Sequence, residues 1–222
     1  MTVESVSAAP IQGVDEWGHL VDQILRGLHH DLNNRIGSLS AMVELLQLGD
    51  TPADGTAYET LAGDLARLGE ANRVVRLVPR DQAPGEEPLI LDDVLADVFA
   101  VHRFLHDVRD VQVTIVPTRY VEPVRCERWA ILHVLVVMLM EAKQLAKDSN
   151  TMVRAATESD EQTVRVQFQI GAPMLADAPA SLGVYAQSVA ATFGGTVTRK
   201  AGVAELRMPT LKARRASDRR SP

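Results

Sequence analysis

The sequence predicts an α+β fold in which an N-terminal antiparallel helical hairpin precedes an α/β sandwich. Apolar residues first recur at helical spacing in two long segments, 14–48 and 58–78, which a short turn separates. A segment rich in proline and charged residues, 79–88, follows them. After that segment, strand-like alternation and helical stripes are interspersed, as they are in α/β domains.

The composition indicates a globular protein and excludes several classes of function. Of the 222 residues, 46% are apolar, enough for one sizeable core, and the net charge of −6 argues against a nucleic-acid partner. A single cysteine, Cys126, cannot form an internal disulfide or a Cys-based metal site. The most apolar stretch, 129–140, contains His133 and is shorter than the roughly 20 residues of a membrane helix. We therefore expect a cytoplasmic protein that needs no metal and contacts no membrane, with no secretory signal at its start.

The first long stripe predicts one helix over residues 15–48. Its apolar positions alternate steps of three and four from Val14 onward, and Gly49 stands where a helix C-cap is expected. The second stripe predicts a helix that ends before Pro79, and the short turn makes the two helices antiparallel. Two such helices cannot enclose a core, so we expect a homodimeric four-helix bundle with Ile24 in its interface.

The division of the chain follows from these patterns. We expect a flexible lead-in over 1–13, the helical hairpin over 14–78, a linker over 79–88, an α/β domain over 89–211 and a disordered basic tail over 212–222. Within 89–211, the patterns predict helices and strands in this order: helix 90–105, strand 111–116, helix 127–147, strands 151–156 and 163–170, helix 182–193, and a hairpin of strands 196–199 and 205–208.

Residues 28–36 place potential chemistry on the first helix. At about 100° per residue, Arg26 and Asn34 lie one turn to either side of His30, while Leu28 and Leu32 point toward the bundle. His30 is therefore predicted to project outward. An exposed imidazole can act as a nucleophile toward phosphorus.

The neighbours of His30 suggest supporting roles in such chemistry. Asp31 could hold one ring nitrogen so that the other attacks, and Asn34 could orient a water. Arg26 or Arg35 could contact phosphoryl oxygens. Adjacent histidines on a helix are also ordinary surface residues, so the residue types alone leave both interpretations open.

This segment resembles the dimerisation and phosphoacceptor domain of two-component histidine kinases. The motif of that family is His, an acidic residue, an apolar residue, two polar residues, usually Pro, and an apolar residue. Arg35 stands where the proline is usual, and His29 lies outside the motif. The resemblance implies that His30 is the phosphoacceptor. The matching residues are His30, Asp31, Leu32, Asn33, Asn34 and Ile36.

The second domain is similar, more weakly, to the ATP-binding domain of the same kinases. By this resemblance Val137 and Glu141 occupy the positions of two asparagines that act around Mg²⁺ and ATP, and Gln169 occupies that of the adenine-reading aspartate. Pro173 replaces a glycine, Gly183 stands alone as a poor phosphate cradle, and the segment before Ser181 is too short for the usual lid. The resemblance thus implies a degenerate histidine-kinase ATPase-like domain.

Together, the resemblance over residues 15–210 implies a histidine phosphotransferase built on a degenerate kinase scaffold. Such a protein would shuttle a phosphoryl group between His30 and the aspartates of response-regulator receiver domains, as a homodimer and without ATP or another cofactor. Two alternatives stay open: an atypical histidine kinase or receiver phosphatase, and a non-enzymatic dimeric scaffold of a two-component pathway.

Overall fold

The computed structural model describes residues 11–49, 55–78, 85–116, 118, 120–171, 181–200 and 202–218. Within these residues the chain forms six α-helices, seven β-strands and one 3₁₀ turn at His106–Val108. The helices are α1 (Val14–Leu48), α2 (Gly55–Leu77), α3 (Leu91–His102), α4 (Arg128–Asp148), α5 (Ser181–Thr192) and α6 (Leu211–Asp218). The strands are β1 (Glu87–Leu89), β2 (Val113–Val116), β3 (Val124–Cys126), β4 (Val153–Ser159), β5 (Thr163–Ile170), β6 (Thr196–Lys200) and β7 (Val203–Pro209).

Five strands form a mixed sheet in the order β2-β4-β5-β7-β6. Strand β2 is parallel to β4, and the other pairs are antiparallel. Alternate residues of β5, including Val164, Val166 and Phe168, are buried, so this face of the sheet packs against helices. The opposite face carries polar side chains such as Gln167 and Gln169, which gives the architecture of an α+β sandwich.

Helix α4 is the central helix of the core. It is long and apolar enough to cross a membrane, with a mean hydropathy of 1.5, but 72% of its apolar window is buried inside the fold. His133, in its middle, is fully buried, with Nδ1 2.9 Å from the Tyr185 hydroxyl and Nε2 3.1 Å from the Val78 carbonyl oxygen. These contacts explain how a histidine is accommodated in this stretch.

The first half of α1 enters the same core. Trp17 stacks on His133 with ring centroids 3.8 Å apart and on Tyr185 at 5.3 Å. Ile24 has no exposed surface and belongs to the hydrophobic cluster that α4 and α5 share. The expectation that Ile24 lies in a dimer interface is therefore wrong, because its own chain already covers it. The hairpin and the α/β domain share one continuous core.

The second half of α1 and the facing part of α2 project from this core. They carry exposed apolar side chains, among them Ile36 (54% exposed), Leu48 (73%) and Leu65 (60%). Polar contacts join the two helices: Asp64 of α2 accepts hydrogen bonds from Arg35 and Ser38 of α1.

Two predicted boundaries are corrected. Residues 87 and 88 of the expected linker belong to β1, which pairs with β3 in a separate two-stranded sheet. Residues 212–218 of the expected disordered tail lie in α6, where Arg214 binds the Glu86 carboxylate and the Arg125 carbonyl oxygen. The other predicted helices and strands occur within a few residues of their expected bounds. The lead-in 1–10, the segment 79–84 and residues 219–222 lie outside the described residues.

Candidate functional site

Gly27 sets the position of the site by letting α1 approach the turn after α3. A Cβ atom at Gly27 would lie 1.9 Å from the carbonyl oxygen of Phe104, a distance too short for any side chain at this position. Glycine therefore permits a backbone contact that places the next turn of α1 beside His106. His30 lies on that turn, and its ring meets the His106 ring edge-on with centroids 5.5 Å apart.

His30 is exposed, as predicted, and Asn34 contacts its ring. Asn34 Nδ2 lies 3.2 Å from His30 Nδ1, one helical turn away. A carboxamide can present its N–H or, after rotation, its oxygen to this nitrogen. Asn34 therefore covers the Nδ1 edge of the imidazole and leaves Nε2 as the other nitrogen through which the ring can react.

Asp31 contacts Arg35 in place of the His30 ring that the sequence suggested. Its Oδ1 lies 3.7 Å from Arg35 Nη2, while Arg35 Nη1 donates to Asp64 Oδ1 at 3.1 Å. The Ser38 hydroxyl donates to Asp64 at 2.8 Å and, with Arg35 and Arg67 nearby, holds the pKa of Asp64 below its ordinary 3.8. Arg35 is thus tied to two carboxylates, and the residue that orients His30 is Asn34.

A cleft of about 290 Å³ opens beside His30 and is rich in positive charge. Four guanidinium groups line it, against the carboxylates of Asp31 and Glu70. A concave surface with this excess of cationic groups attracts anions such as a phosphoryl group. The arginines are Arg35, Arg67, Arg103 and Arg109.

Arg26 is the one predicted phosphoryl contact that lies outside this cleft. It lines a smaller neighbouring cleft of about 120 Å³, together with Gln23 and Met140. Gly27 and His106 border both clefts, so the two clefts adjoin.

Sequence reasoning did not identify the contributions from the turn after α3. His106, Arg103 and Arg109 come from the α/β domain and reach α1 through the contact at Gly27. The available signal was the density of basic and imidazole side chains over residues 102–109. It did not indicate that this turn packs on the first helix.

The region that corresponds by resemblance to a nucleotide site is closed by side chains of this chain. Val137 is fully buried, and Arg199 of β6 donates to Glu141 Oε2 from Nη2 at 2.7 Å and from Nε at 2.9 Å. Burial raises the pKa of Glu141, an effect that Arg199 opposes. The carboxylate is therefore engaged by a protein cation.

Gln169 and Ile170, at the end of β5, lie on opposite faces of the large sheet. Gln169 donates to Gln167 Oε1 at 3.0 Å on the sheet face that carries no helices. Ile170 packs against the core, so it is the residue on the α4 side at this strand end. Neither residue is an aspartate. Pro173 and the shortened lid over 172–180 lie outside the described residues.

Within the described ranges, no three His, Cys, Asp or Glu side chains are grouped as a metal ion would need. Gly183, the remaining glycine of the resemblance, is buried at the start of α5.

Comparison with known proteins finds solved histidine kinases of similar architecture at low identity. The Acinetobacter baumannii histidine kinase AdeS is 16% identical over 82% of this chain and 96% of that chain, with a TM-score of 0.40. The histidine kinase ThkA, solved in complex with the response regulator protein TrrA, is 15% identical over 90% of this chain and 64% of its own, with a TM-score of 0.47. A mycobacterial sensor histidine kinase, MprB, is 12% identical over 56% of this chain, with a TM-score of 0.43.

No family model matches the sequence, and no curated protein matches it. At these identities and TM-scores, the likeness to solved structures decides neither the family nor the activity.

Proposed function

We propose that this protein is a phosphorelay histidine phosphotransferase with His30 as its phosphoacceptor. The observation that carries the proposal is an exposed imidazole, contacted at Nδ1 by Asn34, beside a cleft lined by four arginines. Nucleophile, orienting group and anion-binding charge are thus present in one place.

The reaction is reversible phosphoryl transfer between nitrogen and oxygen. The Nε2 lone pair of His30 attacks the phosphorus of an aspartyl phosphate on a receiver domain, with the ring proton on Nδ1. The P–N bond forms as the P–O bond breaks, and the aspartate leaves with the bonding electron pair as a carboxylate. The product is a phosphoimidazolium whose Nδ1–H donates to the oxygen of the rotated Asn34 carboxamide. Positioning and charge neutralisation lower the barrier, and the receiver supplies its own Mg²⁺.

Asp31 and Arg35 act as a pair in this scheme. Arg35, held by Asp31 and Asp64, presents a fixed guanidinium to the cleft, and Asp31 adds negative charge next to the imidazolium that forms. Arg26 contacts an oxygen of the incoming receiver rather than the group on His30, since it lines the neighbouring cleft.

The residues at the positions that correspond by resemblance to a nucleotide site favour a phosphotransferase over an atypical kinase. Val137 offers no ligand to a metal, and the Glu141–Arg199 pair occupies the second position that would serve one. The protein therefore draws its phosphoryl group from a phosphorylated protein and requires no cofactor of its own.

The partners proposed for the chain are receiver domains and a second copy of itself. Exposed apolar side chains on the projecting half of the hairpin, including Ile36 and Leu65, supply a surface for a homodimeric four-helix bundle. No nucleic-acid or membrane partner is proposed, and the expected location is the cytoplasm, where receivers act.

The test is transfer from a panel of the host's receiver domains carrying ³²P-labelled aspartyl phosphate. We expect acid-labile label on the wild type from at least one receiver, none on His30→Ala, and near-normal labelling of His29→Ala as the matched control. Labelled ATP alone should leave the chain unlabelled. Equal labelling of wild type and His30→Ala, or of neither across the panel, would contradict the proposal, and labelling from ATP would favour a kinase.

A further inference from the structure

His106 brings the α/β domain to the phosphoacceptor. It begins the 3₁₀ turn after α3, and its ring meets the His30 ring at a centroid distance of 5.5 Å and an interplanar angle of 88°. Both histidines line the same arginine-rich cleft. A residue from outside the hairpin is thus placed within reach of any group carried on His30.

The contacts of His106 define which ring nitrogen carries the proton. Arg109 Nη1 lies 3.3 Å from His106 Nδ1, and a guanidinium can only donate. His106 Nδ1 must therefore accept this hydrogen bond, which places the proton of the neutral ring on Nε2.

The Cδ2 side of the His106 ring faces α1. A Cβ atom built on Gly27 would lie 3.0 Å from His106 Cδ2, the carbon bonded to Nε2. The Cδ2 side of the His106 ring is therefore turned toward Gly27, three residues before His30 on the same helix, and Nε2 is the ring nitrogen bonded to this carbon.

We propose that His106 completes the phosphoacceptor site by donating its Nε2–H to an oxygen of the phosphoryl group on His30, with Arg109 fixing the tautomer that makes this possible. This inference rests on the proposed function. His106 makes and breaks no covalent bond, because the P–N bond forms at His30 and the P–O bond breaks at the receiver. Its hydrogen bond to a charged oxygen stabilises phosphorylated His30 relative to the phosphorylated receiver.

The degenerate domain therefore has a direct role in transfer. This domain lacks the residues that would bind a nucleotide, but it supplies a hydrogen-bond donor to the group on His30. The donor comes from the turn after α3, which can approach α1 because Gly27 has no side chain.

The experiment uses the full chain and the receiver of the panel that labels it best. The receiver is phosphorylated with acetyl phosphate and Mg²⁺, and the distribution of phosphoryl groups between the receiver and His30 is measured at equilibrium. His106→Ala should lower the ratio of phosphorylated His30 to phosphorylated receiver about 10-fold. His106→Gln, whose amide N–H extends about as far as Nε2–H, should recover most of this ratio. His19→Ala, another exposed histidine of α1, is the matched control and should behave as wild type.

A structural role and a donor role give different results. The ³¹P NMR line of phosphorylated His30 should shift in His106→Ala and return toward the wild-type position in His106→Gln, which loss of packing alone would not produce. A folded His106→Ala with the wild-type ratio, or a folded His106→Gln with a ratio as low as that of Ala, would overturn the inference. Wild-type protein that takes no label contradicts the proposed function itself and is a separate outcome.

Discussion

The two halves of α1 have the same helical spacing of apolar residues but lie in different surroundings. In the first half, Trp17, Ile24 and Leu28 are buried in the core cluster that also contains residues of α4 and α5. In the second half, Ile36 and Leu48 are exposed. Apolar residues at helical spacing therefore show that one face of a helix must be covered. They do not show whether the same chain or another molecule covers it.

His30 lies at the junction of these two halves. It follows the last buried position of the helix, Leu28, and precedes Ile36, which is 54% exposed. His30, the proposed acceptor, is therefore supported on one side by a packed core and is exposed on the other. Substitutions that act on one half only test whether this division is real.

The largest effect is expected from a charge in the packed half. Ile24→Asp should lower the free energy of unfolding by about 3–5 kcal/mol, because it buries a carboxylate without a partner. Ile36→Asp, in the projecting half, should leave the fold intact and convert the proposed dimer to a monomer. Chemical denaturation and light scattering measure the two effects. If Ile24→Asp gives a stable, folded monomer, the packed half has been assigned to the wrong partner.

A smaller effect on the free energy of unfolding is expected when either of two glycines in the same helix is replaced by alanine. Gly27→Ala should cost about 3 kcal/mol of unfolding free energy and weaken transfer, because the added Cβ would meet the Phe104 carbonyl oxygen. Gly37→Ala has nothing within 4 Å of its Cβ and should stabilise the helix by up to about 1 kcal/mol. Thermal melts of both variants provide the comparison. Equal stabilisation by the two alanines would show that α1 does not approach the turn after α3.

The smallest effect is a loss of folding stability at low pH, which we expect from the buried residue His102. Burial lowers the pKa of His102 from 6.5 to about 3, although its bond to the Val136 carbonyl opposes this. Between those values the unfolded chain binds a proton here that the folded chain does not, so stability falls as the pH falls below 6.5. The loss at pH 5 should be about 2 kcal/mol, with full stability retained above pH 6.5.

Urea titrations from pH 7.5 to 5 on wild type and His102→Gln separate this contribution from those of other groups. Glutamine can still donate to the Val136 carbonyl oxygen and cannot be protonated in this range. The variant should therefore lose less stability on acidification than wild type does. Parallel curves for the two proteins would show that His102 does not contribute this pH dependence.

The sequence predicted the elements that depend on local patterns. Helical spacing gave α1 and α2 to within a few residues, alternation gave the strands of the large sheet, and the position of His30 opposite Leu28 and Leu32 gave its exposure. Each of these features is determined by residues within one or two turns of the chain.

Features that depend on distant residues could not be predicted in this way. The short strand β1 forms because β3 lies beside it, and α6 is fixed by Arg214 contacts to Glu86 and Arg125, far away in sequence. Asp31 is next to His30 in sequence, but its carboxylate is paired with Arg35, which Asp64 also binds. The approach of His106 depends on the missing side chain at Gly27, whose effect appears only once both segments are placed.

The stack of Trp17 on His133 also gives the protein an optical property. The chain contains two tryptophans, and the second, Trp129, meets the same histidine ring edge-on at 5.4 Å. Intrinsic tryptophan fluorescence therefore originates entirely from the place where α1 joins the α/β domain. We expect any event that separates the two, such as the proposed docking of a receiver, to change this fluorescence without the need for a label.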